Sequence, residues 1–229
     1  MSPAQCAVVF DWNGTLLADT QLCLDSANKV IVTFGATPAT LSQYRKAYEM
    51  PLKHLYQRLG CDEVELAERP QEVFALWSKH YDAHVHKTRL RRGAKGLLNA
   101  IKGKGHRAAI LSNHTVEIIT AQAQRLSVDH FFDDVLANQN HEIHSIMHKA
   151  DKGSRLKHYV DRHGIRKALV IGDSVEEIEI AHVYGFLGVG LAGGFTSAAR
   201  LRAAKPDFMI NSLTEMPEIV AKAFGRGAT

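Results

Sequence analysis

Val8-Val9-Phe10-Asp11-Trp12-Asn13-Gly14-Thr15-Leu16 is the stretch whose reading decides the fold. An apolar run ends in a carboxylate, and a glycine turn follows at once. A run of this kind reads as a strand buried on both faces, with Asp11 at its carboxyl end. Open α/β sheets gather their chemistry along that edge. Asn13 stands two residues beyond Asp11, where a second acid would serve proton transfer.

Working outward, residues 7–10 read as the first strand. Residues 20–34, 41–48, 51–59 and 71–86 carry apolar side chains at helical spacing, with no convincing strand among them. After Arg92-Gly93 the rhythm changes. Strands are expected at 108–111, 134–137, 168–171, 188–191 and 208–210. Helices are expected at 94–104, 116–125, 154–163, 178–184, 197–203 and 215–224, and Ser112-Asn113-His114 reads as a turn. Strands alternating with helices specify an α/β fold with a mostly parallel sheet covered on both faces.

The chain has 229 residues, 45% of them apolar, which is enough for a substantial core. The formal charge of +4 is spread along the sequence without a Lys/Arg block. That balance argues against nucleic acid and suits an anionic substrate. The three cysteines, Cys6, Cys23 and Cys61, form no CxxC pair, so a reducing, cytoplasmic setting is expected. No stretch is apolar for long enough to span a bilayer, and no membrane partner is expected.

Three apolar strands end in useful polar groups: Asp11, Ser112-Asn113 and Gly172-Asp173. In a parallel sheet these ends lie on one edge. Two carboxylates, a hydroxyl and lysines from the preceding polar loop make a magnesium and phosphate site. Mg²⁺ is a hard cation that takes oxygen ligands, and a carboxylate nucleophile can form an aspartyl-phosphate.

Four motifs in order carry a resemblance over essentially the whole chain. They are Asp11-Trp12-Asn13-Gly14-Thr15-Leu16, Ser112 after Ala108-Ala109-Ile110-Leu111, a lysine in His148-Lys149-Ala150-Asp151-Lys152-Gly153, and Gly172-Asp173-Ser174-Val175-Glu176-Glu177. Together they resemble the haloacid dehalogenase superfamily in its phosphatase branch, similar to phosphoglycolate phosphatases. The resemblance implies a Rossmann-like core over residues 1–17 and 91–229, and a helical cap inserted over residues 18–90. It implies a Mg²⁺-dependent hydrolysis of a small phosphorylated metabolite by a monomer or homodimer. Asp11 would be the nucleophile and a metal ligand. Asn13 would add its backbone carbonyl, and Asp173, supported by Glu177, would complete the protein ligands. Ser112 and a lysine would hold the phosphoryl oxygens. Lys149 is favoured slightly, with Lys152 as the other candidate. Thr15 would help orient the loop, and Thr15, Asn113, Lys53 and Arg45 are further candidates for binding substrate.

The family's phosphatases usually carry Asp where this chain has Asn13, and an amide cannot shuttle a proton. Three accounts remain open. Another donor, such as His114, could serve, since imidazole titrates near neutrality. The chemistry could instead be phosphonate cleavage, with Lys53 forming a Schiff base as in phosphonoacetaldehyde hydrolases. Or the protein binds a phosphorylated ligand without turning it over. The basic residues Arg45, Lys46, Lys53, His54 and Arg58 give the inserted helices a possible role in substrate choice. His141, His144 and His148 share one polar loop whose expected reading is a solvated segment rather than a metal site.

Overall fold

β1 (Cys6–Phe10) is buried along its whole length. A strand with no polar side chain must be covered on both faces and paired on both edges. It pairs in parallel with β2 (Arg107–Thr115) on one side and β4 (Lys167–Gly172) on the other. With β3 (Asp134–Asn138), β5 (Leu187–Leu191) and β6 (Phe208–Ile210) these make a six-stranded sheet in the order β3-β2-β1-β4-β5-β6. The computed structural model describes residues 5–139 and 151–225. The expected α/β class with a parallel sheet is therefore observed.

Register brings the polar strand ends together. Phe10 is opposite Ile110 of β2 and Ile171 of β4. The next residue along, Asp11, thus lies level with Leu111 and Gly172, and Ser112 and Asp173 come one residue later. Side chains alternate along each strand. Val8, Phe10, Ile110, Leu169 and Ile171 face one apolar layer, which includes Leu97, Leu98 and Ile101 of the helix Ala94–Gly103. Val9, Ala109, Leu111 and Val170 face the other, against Leu156, Tyr159 and Val160 of the helix Lys152–His163.

Five α-helices lie between β1 and the helix Ala94–Gly103: Thr20–Thr33, Leu41–Ala47, Leu52–Arg58, Glu63–Glu68 and Pro70–His84. They share an apolar cluster of their own that includes Val30, Ile31, Leu55, Tyr56, Val73 and Tyr81. Phe195, which follows β5, also packs into this cluster. Local signals set the helix starts. Thr40 and Gln43 form a capping box, and Pro70 occupies the first turn of its helix.

The structure departs from the sequence expectation in several places. The helix expected at 178–184 spans Val175–Val183, started by a Ser174–Glu177 capping box. Glu63–Glu68 is an additional short helix, too brief for apolar periodicity to reveal. Asp62 starts it by accepting from the backbone N–H of Val64 and Glu65. The helix Lys152–His163 begins two residues early because Asp151 caps it through the Ser154 N–H. Ser112-Asn113-His114 continues β2 as far as Thr115, with the register shifting between Leu111 and Thr115.

Ile110 is fully buried in β2. We expect Ile110→Ala to lower stability by about 2–5 kcal/mol in urea denaturation. Val183→Ser, at a position 76% exposed, should change it by less than about 0.5 kcal/mol.

Candidate active site

Asp11 is the first residue past β1, and its backbone N–H donates to Ile171 O at 2.8 Å. Its side chain is buried and meets the ammonium of Lys152, which donates to Asp11 Oδ1 at 2.9 Å. Lys152 is only 3% exposed. Its ammonium also donates to Glu177 Oε1 and lies 3.8 Å from Glu176 Oε2. One cation thus stands among three carboxylates. Burial disfavours the charged lysine, but Asp11, Glu177 and Glu176 override it and hold the pKa above its ordinary value.

Asp173 lies across from Asp11, fully buried just past β4. Thr15 Oγ1 donates to its Oδ1 at 2.8 Å, and the Phe195 N–H donates to Oδ2 at 2.5 Å. The backbone crowds this carboxylate. A Cβ on Gly14 would come 2.3 Å from Asp173 Oδ2, and one on Gly194 would come 1.9 Å from it. Gly14 also has φ +75°, so two separate constraints require glycine there. Burial raises the Asp173 pKa to about 6, partly offset by the Phe195 N–H. Burial likewise pushes Asp11 well above its usual value, with Lys152 opposing and Glu177 and Asp173 reinforcing the rise. Burial also acts to raise Glu177, but Lys152 and Ser174 prevail and hold it low.

Several of the expected residues meet partners of their own. Thr15 is fully buried and holds Asp173, so it does not face substrate. Glu177 has both oxygens engaged, Oε1 by Lys152 and Oε2 by the Ser174 N–H and hydroxyl, so it positions the lysine. Arg45 donates through Nε and Nη2 to the carbonyls of Gly194 and Gly193, turning its charge onto backbone. Lys53 does not line the cavity above Asp11. Lys152, the other candidate, is the lysine that reaches Asp11 among the described residues. Lys149 and His141, His144 and His148 lie outside the described residues.

Other expected residues do converge. Ser112, Asn113 and His114 line the cavity with Asp11, Lys152 and Asp173. Asn113 Nδ2 donates to Glu176 Oε2 at 2.9 Å. Arg155 Nη2 donates to Ser112 O at 3.1 Å and its Nη1 to Asn138, which in turn donates to Asn113 O at 2.7 Å. This network fixes the end of β2. The Thr115 N–H donates to His114 Nδ1 at 3.0 Å, which assigns the neutral ring's proton to Nε2.

Asn13 has an environment that the sequence did not reveal. Its Nδ2 donates to Asp19 Oδ2 at 2.6 Å and to the Tyr81 hydroxyl at 2.9 Å. Asp19 is 1% exposed and also accepts from the Gly14 N–H and the Tyr81 hydroxyl. Burial raises its pKa, and these donors oppose the rise. Sequence reading missed Asp19, Tyr81 and Arg91. Arg91 clamps the loops from behind, donating to Gly14 O at 2.6 Å and Ala192 O at 2.8 Å. No local motif marks Asp19 or Tyr81, since their partners lie in another segment or have no recognisable spacing.

The donor set suits a hard divalent cation. Asp11 and Asp173 are buried carboxylates whose charge burial disfavours, and Lys152 alone cannot neutralise the acids around it. Among the described residues no three His, Cys, Asp or Glu side chains form a metal set. Two carboxylates with a backbone carbonyl and water would make up the oxygen shell.

The family profile for haloacid dehalogenase-like hydrolases matches residues 8–189. The chain belongs to this family. It is 25% identical to a phosphoglycolate phosphatase of Nitrosococcus oceani, an alignment covering 94% of this chain and 96% of that one. Identity to the phosphoglycolate phosphatase of Synechococcus elongatus is also 25%, over 94% of this chain and 97% of the relative. A haloacid dehalogenase-like hydrolase from Streptococcus pneumoniae superposes with a TM-score of 0.76 at 18% identity, covering 93% of this chain and 97% of the other. CbbY from Rhodobacter sphaeroides, solved in complex with phosphate, gives a TM-score of 0.67 at 18% identity, with 92% and 95% covered. These likenesses establish the fold.

Two pH measurements follow from the buried acids. A folded-state pKa raised to about 6 means that protonation of Asp173 favours the fold, and that contribution is lost as pH rises through 6. With chelator present, thermal stability should fall between pH 4 and 7, and Asp173→Asn should flatten the fall. Asn13→Asp would set a second carboxylate beside Asp19, and like charges cannot both ionise cheaply. That variant should lose about 1–3 kcal/mol relative to the parent between pH 5 and 8 in urea titrations.

Proposed function

We propose that this chain is a Mg²⁺-dependent phosphatase that hydrolyses a small phosphomonoester through an aspartyl-phosphate on Asp11. One observation carries the reading: the nucleophile-type carboxylate at the end of the central strand is paired with a buried lysine and opens onto a cavity. The family and the names of its relatives support it.

Asp11, Asp173 and the Asn13 backbone carbonyl would hold Mg²⁺. When bound, that ion supplies the positive charge an anionic nucleophile needs to meet an anionic phosphate. Lys152 and Ser112 hold the phosphoryl oxygens. An Asp11 carboxylate oxygen bonds to phosphorus as the bond to the leaving oxygen breaks. The electron pair goes to that oxygen, which takes its proton from solvent. A water molecule then attacks phosphorus as the bond from Asp11 to phosphorus breaks, gives its proton back to solvent, and leaves phosphate and free Asp11. His114 Nδ1 accepts from the Thr115 N–H, so its ring is neutral and its Nε2 proton is too weakly acidic to serve as the donor. Asn13 takes no part in proton transfer. Its amide instead ties the nucleophile loop to Asp19 and Tyr81. The helices of residues 18–90 act as the cap that excludes water and contacts the leaving group. A phosphonate-cleaving mechanism loses its expected Schiff base, because Lys53 is not in the cavity wall.

Asp11→Asn should cut Mg²⁺-dependent phosphate release from para-nitrophenyl phosphate by roughly a thousandfold or more. Persistence of the activity would end the proposal. Without release by the parent protein, stabilisation by phosphate would mark a binder instead. Alkyl phosphates should turn over far more slowly than para-nitrophenyl phosphate, because nitrophenolate leaves without a proton and the Asn13 amide cannot supply one.

A further inference from the structure

The cavity over Asp11 is divided by chemistry. Its charged residues, Asp11, Lys152, Asp173, Glu176 and Glu177, all come from the sheet side. The wall supplied by the inserted helices carries no charged side chain among the described residues. It is built from groups such as Tyr44, Tyr48, Leu52, Leu55, Phe74 and Trp77. Phe195 joins it and packs against Tyr48, with ring centroids 4.9 Å apart. The cavity as a whole, floor included, has a volume of about 150 Å³.

Among the described residues, the basic side chains of the inserted helices that could have met a second anionic group are paired elsewhere or lie outside the wall. Arg45 is bonded to the carbonyls of Gly193 and Gly194, and Arg58 pairs with Glu49. Lys46 is exposed and Lys53 is outside the wall. Among the described residues, a carboxylate on the leaving group would therefore be desolvated against rings and aliphatic carbons with no lysine or arginine of the wall to pair it. Lys152 cannot serve, since it is held between Asp11 and Glu177 on the floor.

We propose that the preferred substrate is a phosphomonoester whose leaving group is uncharged and apolar rather than a carboxylate-bearing ester such as phosphoglycolate. This rests on the phosphatase reading for its chemistry, while the binding preference can be measured without turnover. The floor takes the phosphoryl group, and the apolar wall buries the leaving group.

The test has a binding arm and a hydrolysis arm. Isothermal titration calorimetry on the full chain with Mg²⁺ compares three non-hydrolysable phosphonates: 2-phenylethylphosphonate, ethylphosphonate and 3-phosphonopropionate. The phenylethyl compound should bind roughly tenfold or more tighter than ethylphosphonate, from apolar area removed from water, and 3-phosphonopropionate should bind weakest. Equal affinities, or tightest binding of the carboxylate, would overturn the proposal. In the second arm, kcat/KM for 2-phenylethyl phosphate should exceed that for ethyl phosphate and for phosphoglycolate. Both alkyl leaving groups are poor, so the comparison reports binding rather than leaving-group reactivity. Leu52→Lys, which puts a cation in the half-buried wall, should shift the affinity ratio toward 3-phosphonopropionate. An unchanged ratio in a folded variant counts against the proposal. If no ester is hydrolysed while the phosphonate ranking holds, the phosphatase reading fails and the specificity of the pocket stands.

Discussion

The site depends on one buried ammonium. Lys152 sits in the interior only because Asp11 and Glu177 bond to it, and those carboxylates are held in place largely by Lys152. Taking such charges out of water costs several kcal/mol per ion, which only close geometry repays. By contrast, the exposed Arg69 pairs with Glu65 and Glu72 contribute little to stability. The local structure serves that buried cluster. Asp151 starts the helix early enough to place Lys152 in its first turn, and Ser174 fixes the second oxygen of Glu177. Gly172 leaves the room that Glu177 needs, since a Cβ there would come 2.3 Å from its Cγ.

The same logic accounts for the amide at position 13. Asp19 is buried beside it and already accepts from Gly14 and Tyr81. A second carboxylate there would face it at hydrogen-bond distance, whereas an amide donates to it. Asn13 therefore trades proton transfer for a hydrogen bond to Asp19. In this reading, Asp19 and Tyr81 compensate for the residue that departs from the family pattern.

Charge and apolarity are thereby kept apart. The sheet edge concentrates the carboxylates and the lysine, and the helices between β1 and β2 bring aliphatic and aromatic side chains to the opposite wall. In that arrangement the phosphoryl chemistry belongs to the floor and selectivity to the wall. A protein about one quarter identical to phosphoglycolate phosphatases can thus keep their hydrolytic framework and favour a different leaving group.

The sequence by itself determined the parallel α/β architecture, because unbroken apolar runs such as Val8-Val9-Phe10 have no stable place except a sheet covered on both faces. It also identified Asp11, Ser112 and Asp173, since each ends such a run and parallel register carries the ends to one edge. The tertiary structure alone decided the rest. Lys152 was seen to reach Asp11, because Asp151 caps the helix early enough to bring it into the first turn. Glu177 meets Lys152 and Thr15 meets Asp173, and those partners come from other segments. The pairing of Asn13 with Asp19 and Tyr81, and the diversion of Arg45 to carbonyls, likewise rest on which segments meet in space. Periodicity and motif spacing record burial and local geometry, but a long-range hydrogen bond leaves no period in the chain.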